Sequence, residues 1–215
     1  MLFWDKTGGK MKEDIELKEV ENAEGKSVTH EVLGYIKLII IAIILAYIVS
    51  HVIIVNAAIP SSSMENTIMT GSRVIGNRLS YTFSEPERGD IIVFKYPVDE
   101  TELFIKRIIG LPGETVEIRD AKVYIDGSNT PIEEDYLPEE WKIGCDGYTF
   151  EVPEGCYLVL GDNRNVSQDA RYWAEEAYDE GLAQTWEDAE SYTYVKESQV
   201  VAKAMFVYYP KFYLL

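Results

Sequence analysis

Eighteen consecutive uncharged residues, Leu38 to Val55 (LIIIAIILAYIVSHVIIV), constrain this chain more than any other stretch. With a rise of about 1.5 Å per residue, some twenty such residues cross the hydrocarbon core of a bilayer, so the run predicts a transmembrane helix over 35–55. The competing reading is a buried core helix, but the chain offers no other apolar helices to surround it. A cleavable signal peptide also competes, since Val55-Asn56-Ala57 supplies small residues near a cut. Against that, its n-region would be 37 residues long, and the apolar stretch exceeds an ordinary h-region. An uncleaved anchor is the reading retained. Lys26 and Lys37 flank the N-terminal side, whereas the first basic residue beyond the run is Arg73. Counted by Lys and Arg, the polar segment 1–34 is a cytoplasmic tail and residues 56–215 lie outside the cell membrane.

The part after the run, about 160 residues, is enough for one well-buried domain with a small appendage. From Asn56 onward 14 basic and 29 acidic residues leave it at −15 within a total of −17. Such a body is repelled by phosphate backbones, which argues against nucleic acid as a partner. The two cysteines, Cys145 and Cys156, permit a disulfide in an oxidising compartment but do not make a disulfide framework. If Val152-Pro153-Glu154-Gly155 forms a hairpin turn, Cys156 faces residues near Glu151 rather than Cys145. Histidine excludes more: His30 precedes the run and His51 lies within it, so the body has none. A Ser-His-Asp triad, a Cys-His dyad and a His-rich metal site are all excluded there.

Beyond Ser63 the pattern becomes short segments rich in β-branched and aromatic residues: 73–79, 90–96, 103–109, 115–118, 122–125, 148–152, 157–160 and 200–207. Turn signals such as Arg88-Gly89-Asp90, Leu111-Pro112-Gly113 and Asp126-Gly127 separate them. Short strands at this spacing predict a mainly β, antiparallel body, with a smaller β appendage over about 119–155. One acidic, helix-tolerant insertion, 174–192, interrupts the pattern and reads as one or two helical turns with a solvated face. The aromatic C-terminus, Phe206 to Leu215, reads as a terminal strand or as an interfacial contact with lipid.

Ile59-Pro60-Ser61-Ser62-Ser63-Met64 follows the apolar run closely. A serine cluster is ordinarily loop filler, but a chain rising at most ~3.6 Å per residue keeps Ser63 within about 30 Å of the membrane exit. Without histidine, the candidate base is Lys106 in Leu103-Phe104-Ile105-Lys106-Arg107-Ile108-Ile109-Gly110. Alternation puts Lys106 on the face of Phe104 and Ile108, and Arg107 on the other. A free lysine, with a pKa of about 10.4, is almost wholly protonated at pH 7. Burial disfavours the ammonium and brings the amine into the range of a general base. A third stretch, Gly161-Asp162-Asn163-Arg164-Asn165-Val166-Ser167-Gln168-Asp169-Ala170-Arg171, follows an apolar strand as a loop. It carries a hydroxyl, Ser167, and a candidate bracing pair, Asp169 and Arg171, which would contribute little if exposed.

Taken together, Pro60 to Met64 with Thr67-Ile68, then Arg88 to Phe94, then Lys106 to Glu114, then Gly161 to Arg171 resemble the successive boxes of bacterial type I signal peptidases. They occur in that family's order after a single N-terminal anchor, over roughly 36–209 apart from the insertion. The resemblance implies a signal-peptidase-type β ectodomain and a membrane-anchored serine endopeptidase that removes signal peptides from translocated preproteins, cutting after small residues at −1 and −3. It implies Ser63 as nucleophile, Lys106 as general base, Ser61 and the Ser63 amide as oxyanion hole, and Ser167 as the group that orients the lysine. Met64 would shape the cleft, and Arg107, Asp162, Asp169 and Arg171 would support it. No metal or organic cofactor is implied; the partners are secretory preproteins, the lipid bilayer and the nearby translocation machinery. This sequence departs from the family's usual pattern at Asn66, where Pro is common, at Ala170, where Ser is common, and in the insertion. Two other readings stay open: a self-cleaving Ser-Lys regulator, and a membrane-tethered β domain without catalysis that binds secreted proteins or cell-wall material.

Overall fold

The structure, a computed structural model, describes residues 31–215. The expected tail over 1–34 therefore lies outside the described residues except for its last four, which are helical. Helix α1 runs from Glu31 to Ile53 and is, by length and composition, long and apolar enough to cross a membrane. Its side chains from Glu31 to Ser50 are exposed, unlike those of a core helix. The described residues divide after Val49, and Ser50–Leu215 forms one compact unit.

The helix ends two residues short of the expected boundary, because Ile54 and Val55 open strand β1 (Ile54–Ala58). There they pair with Asn77 and Gly76 of β2 (Arg73–Asn77), and Val55 enters the core. An unbroken run of β-branched residues carries no period that separates a helix end from a strand start.

The other strands are β3 (Ile91–Lys95), β4 (Leu103–Gly110), β5 (Thr115–Arg119), β6 (Lys122–Ile125), β7 (Tyr148–Glu151), β8 (Cys156–Leu160), β9 (Val195–Lys196), β10 (Val200–Tyr209) and β11 (Tyr213–Leu214). The large antiparallel sheet has the order β1-β2-β10-β3-β4-β8-β9, with β11 also on β10, and a smaller sheet has the order β6-β5-β7. The appendage thus starts at β5, before residue 119, and belongs to the same compact unit as the large sheet. The C-terminal aromatic segment is a strand pairing: Phe206 and Val207 of β10 face Leu214 and Tyr213.

Two apolar cores cover the large sheet from opposite sides. Ile92 and Phe94 point into one, Ile91 and Val93 into the other, which is why β3 reads as a continuous apolar run rather than an alternating one. The acidic insertion forms α2 (Trp173–Asp179) and α3 (Trp186–Glu190). It is more than a solvated face, because Ala177 and Ala189 within it, and Trp173 just before it, are fully buried. The Trp173 ring lies 5.4 Å from Tyr96 and 5.9 Å from Phe94, anchoring α2 on the sheet. Cys145 and Cys156 are unpaired thiols.

Candidate active site

The loop between β1 and β2 is closed at its base by Ile59 N–H to Ser72 O (3.0 Å) and Gly71 N–H to Ile59 O (2.8 Å). Inside it the chain makes a tight turn, with Ile68 N–H bonded to Met64 O at 2.7 Å. Met64 and Ile68, four residues apart, are both fully buried and root that turn in the core. Met64, which the resemblance expects to shape the cleft, lies fully buried in one apolar cluster with Ile68 and Val74 and does not itself line the cleft. Ser63, just before this anchor, is held from the other side when its carbonyl accepts the Asn163 N–H at 3.0 Å.

Lys106 lies on β4 opposite Ile92 of β3 and is 4% exposed. Its Nζ donates to Ser63 Oγ at 2.8 Å and sits 5.4 Å from the centre of the Phe104 ring. Burial pushes the amine down to about 8, against the opposing pull of the Asp169 and Asp162 carboxylates. Ser61, on the exposed rim, has its Oγ 3.3 Å from Ser63 Oγ.

The loop after β8 supplies the remaining predicted residues. Asp162 is fully buried and accepts from Arg107 Nε (2.8 Å), Arg107 Nη2 (2.6 Å) and Thr67 Oγ1 (2.5 Å). Thus β4 carries two cations on opposite faces, one bonded to the serine and one to the carboxylate that ties down the serine's own loop. Asp169 and Arg171 form a fully buried pair at 2.8 Å, not an exposed one. Asp169 also accepts the Gly161 N–H at 3.0 Å.

Ser167 departs from expectation. It is 2% exposed, yet its Oγ has no hydrogen-bond partner, so the bond to the lysine amine is not made. The hydroxyl instead packs over Gly161, where an added Cβ would overlap both Ser167 Oγ and the Ser63 carbonyl oxygen. Glycine is required there by close approach. Gly161→Ala should drive this loop away from Ser63 and lower any Ser63-dependent turnover about a hundredfold, since catalytic geometry tolerates little displacement. Steady-state kinetics on the variant check it; a rate within threefold of the parent would contradict the packing argument.

Sequence reasoning missed the clamp on this loop. Arg164 pairs with Glu134 (2.5 Å), and Arg171 Nη1 donates to the Ile143 and Gly144 carbonyls at 3.0 and 3.2 Å. Asn165 Oδ1 accepts the Lys142 and Ile143 N–H groups. Of the groups just named as partners of the loop's Arg164, Asn165 and Arg171 side chains, only Glu134 is a side chain; the rest are backbone groups.

Beside Ser63 and Lys106 opens a cleft of about 420 Å³. One wall is β1 and the residues after it, Ala57 to Pro60; the other is Leu103 to Lys106 of β4. β1 is the end strand of its sheet, and β8 pairs with β4 only from Arg107 onward, so both walls present strand edges not taken up by the sheet. Among the described residues no group of three or more His, Cys, Asp or Glu side chains could hold a metal.

A seryl hydroxyl bonded to a buried amine, beside a groove between two strand edges, has the layout of a serine hydrolase centre. Comparison with known proteins gives the family. The signal peptidase family, peptidase S26, matches residues 32–209, and the chain belongs to it. Over 145 residues the chain is 41% identical to a probable signal peptidase I-2 of Synechocystis, covering 64% of this chain and 63% of that protein, a little under two thirds of its length. Signal peptidase I T of Bacillus subtilis is 32% identical over 193 residues, 86% of this chain and 89% of the relative. A crystal structure of a signal peptidase I from Enterococcus faecalis aligns with TM-score 0.41 and 35% identity, covering 56% of this chain and 97% of that one.

Proposed function

We propose that this protein removes N-terminal signal peptides from secretory preproteins, with Ser63 as nucleophile and Lys106 as general base. The observation that carries the reading is the 2.8 Å bond between a buried, depressed-pKa amine and Ser63 Oγ at the edge of an open cleft. Neutral Lys106 takes the Ser63 proton as Oγ attacks the scissile carbonyl, and the resulting ammonium returns that proton to the leaving amine. Lys106 then deprotonates a water that attacks the acyl-enzyme, and Ser63 recovers its proton as the ester breaks. The Ser61 hydroxyl and the Ser63 N–H serve as oxyanion donors, each contributing about 3 kcal/mol. In support, the Ser63 N–H meets no backbone acceptor among the described residues.

The substrate lies extended in the cleft and pairs its backbone with the open strand edges. Small side chains at −1 and −3 fit shallow subsites, and Ala57 and Ala58 on the wall keep the groove close to the scissile bond. Helix α1 places the protein in the membrane with its N-terminus cytoplasmic and the β body outside, near the translocation machinery. Enzyme and tethered substrate then share one thin layer, which raises their effective concentration.

The test uses the full chain in detergent and a preprotein with Ala at −1 and −3. The expected result is a single cut after −1, unaffected by EDTA, and at least about a thousandfold slower with Ser63→Ala. Cleavage by Ser63→Ala at the parental rate would overturn the assignment.

A further inference from the structure

Away from Ser63, β7 is the outer strand of the smaller sheet: one side pairs with β5, and among the described residues no strand takes the other. All four β7 residues line a cavity of about 940 Å³, more than twice the volume of the cleft at Ser63. The insertion forms the facing wall through Ala174, Glu175, Trp186 and Glu190. Tyr194 lines the same cavity beside Glu151.

The chemistry of the groove is specific. Phe150 and Tyr148 stack at 5.9 Å, and Trp186, 52% exposed, meets Tyr178 edge-on at 6.1 Å. Three glutamates, Glu151, Glu175 and Glu190, line the walls. Of the two cations there, Arg171 is committed to the buried Asp169, which leaves Lys196 alone against them. Residues 174–192 as a whole carry seven acidic side chains and no basic one.

We infer that this groove is a second peptide-binding site, which takes an extended segment of a separate polypeptide, with Lys or Arg next to an apolar residue, by strand addition to β7. An unpaired strand edge supplies alternating N–H and C=O groups at fixed spacing, so it selects an extended backbone. Successive side chains of that backbone point to opposite sides, so apolar residues meet the aromatic rings while cations between them meet the glutamates. The acidic walls reject anionic segments. Under the topology proposed above, the segment before α1 is on the other side of the membrane from this groove, so the inferred occupant is another molecule. The inference is independent of the Ser63 chemistry.

The experiment measures fluorescence anisotropy of a labelled ten-residue peptide of alternating Lys and Val on the intact Ser63→Ala protein in detergent. The expected result is saturable binding that weakens with salt and is absent for the Glu-Val counterpart. The double variant Glu175→Lys/Glu190→Lys weakens binding at least about tenfold, and Trp186→Ala weakens it too. Reversing two exposed charges elsewhere, Glu85→Lys/Glu87→Lys, leaves it unchanged. N-methylation of alternate peptide residues abolishes binding in one phase and spares it in the other, because only one set of N–H groups faces β7. Equal loss with the Glu85/Glu87 variant, indifference to N-methylation in both phases, or displacement by a peptide bound at the Ser63 cleft would each overturn the inference.

Discussion

Replacing Lys106 with Met is expected to abolish the proposed preprotein cleavage and to raise the melting temperature at pH 7. Both effects follow from a cation 4% exposed with its pKa pushed down to about 8. At that value about one amine in ten is neutral at pH 7 and half at pH 8, against roughly one in three thousand for a free lysine. Parental activity should therefore rise with pH through about 8 and level off above it, and loss of the base should cost about a thousandfold or more. Stability runs with the same sign. The folded pKa lies below the unfolded one, so between pH 8 and about 10.5 the unfolded chain binds the extra proton and stability rises with pH. Below that window both states are protonated, and the fold carries the whole penalty of an ammonium out of water, about 3 kcal/mol. Methionine matches the stem and drops the charge. After allowing for the donor lost by Ser63, the gain is about 2 kcal/mol, or some 4–8 °C in a body of this size. Calorimetry and cleavage assays on one preparation read both effects. A lower melting temperature would refute the burial penalty, and a flat rate from pH 6 to 9 would refute the base.

The same physics sets what the sequence disclosed. Strand β4 was legible because Phe104, Lys106 and Ile108 alternate against a second apolar set; spacing put Lys106 and Arg107 on opposite faces, and which cation is buried followed only on the condition that the Phe104 face meets the core. Strand β1 was not, since Ile54 and Val55 continue an apolar run whose helical part ends at Ile53 without a change in composition. The box around Gly161 identified Asp169 and Arg171 as neighbours but not as a fully buried pair, because burial comes from Ile143, Gly144 and Trp141, in a stretch without regular structure. Those ties use backbone carbonyls, which every residue possesses and no sequence pattern advertises. Ser167 shows the converse: the resemblance supplied a hydroxyl and a role, while rotamer and packing put that hydroxyl over Gly161. The insertion looked like a solvated face because it carries seven acidic side chains and no basic one, although Trp173, the residue just before it, fixes it to the core.

Asp169→Ala is expected to cost 3–5 kcal/mol, about 10 °C or more in melting temperature, because it strands a guanidinium with no exposed surface. Asp169 accepts from Arg171 Nε at 2.8 Å, from Arg171 Nη2 at 3.0 Å and from the Gly161 N–H at 3.0 Å, so one carboxylate joins the site loop to its clamp. Arg171 would retain only carbonyl hydrogen-bond partners, at Arg164, Ser167, Ile143 and Gly144, which do not neutralise it. Asp169→Asn separates charge from shape. Asp169 is the stronger of the two carboxylates that hold the Lys106 pKa up, so removing its charge lets burial push that amine further below 8. The rising limb of the pH–rate profile then moves to lower pH, whatever happens to the maximum rate. A limb that stays in place would show that the carboxylate is not felt at the amine. The double variant Asp169→Ala/Arg171→Met removes both buried charges together and should recover most of the stability lost by Asp169→Ala, since replacing a whole buried pair by apolar groups is close to neutral. If the double variant were as unstable as the single one, the loss would belong to the orphaned Gly161 N–H rather than to the unpaired cation.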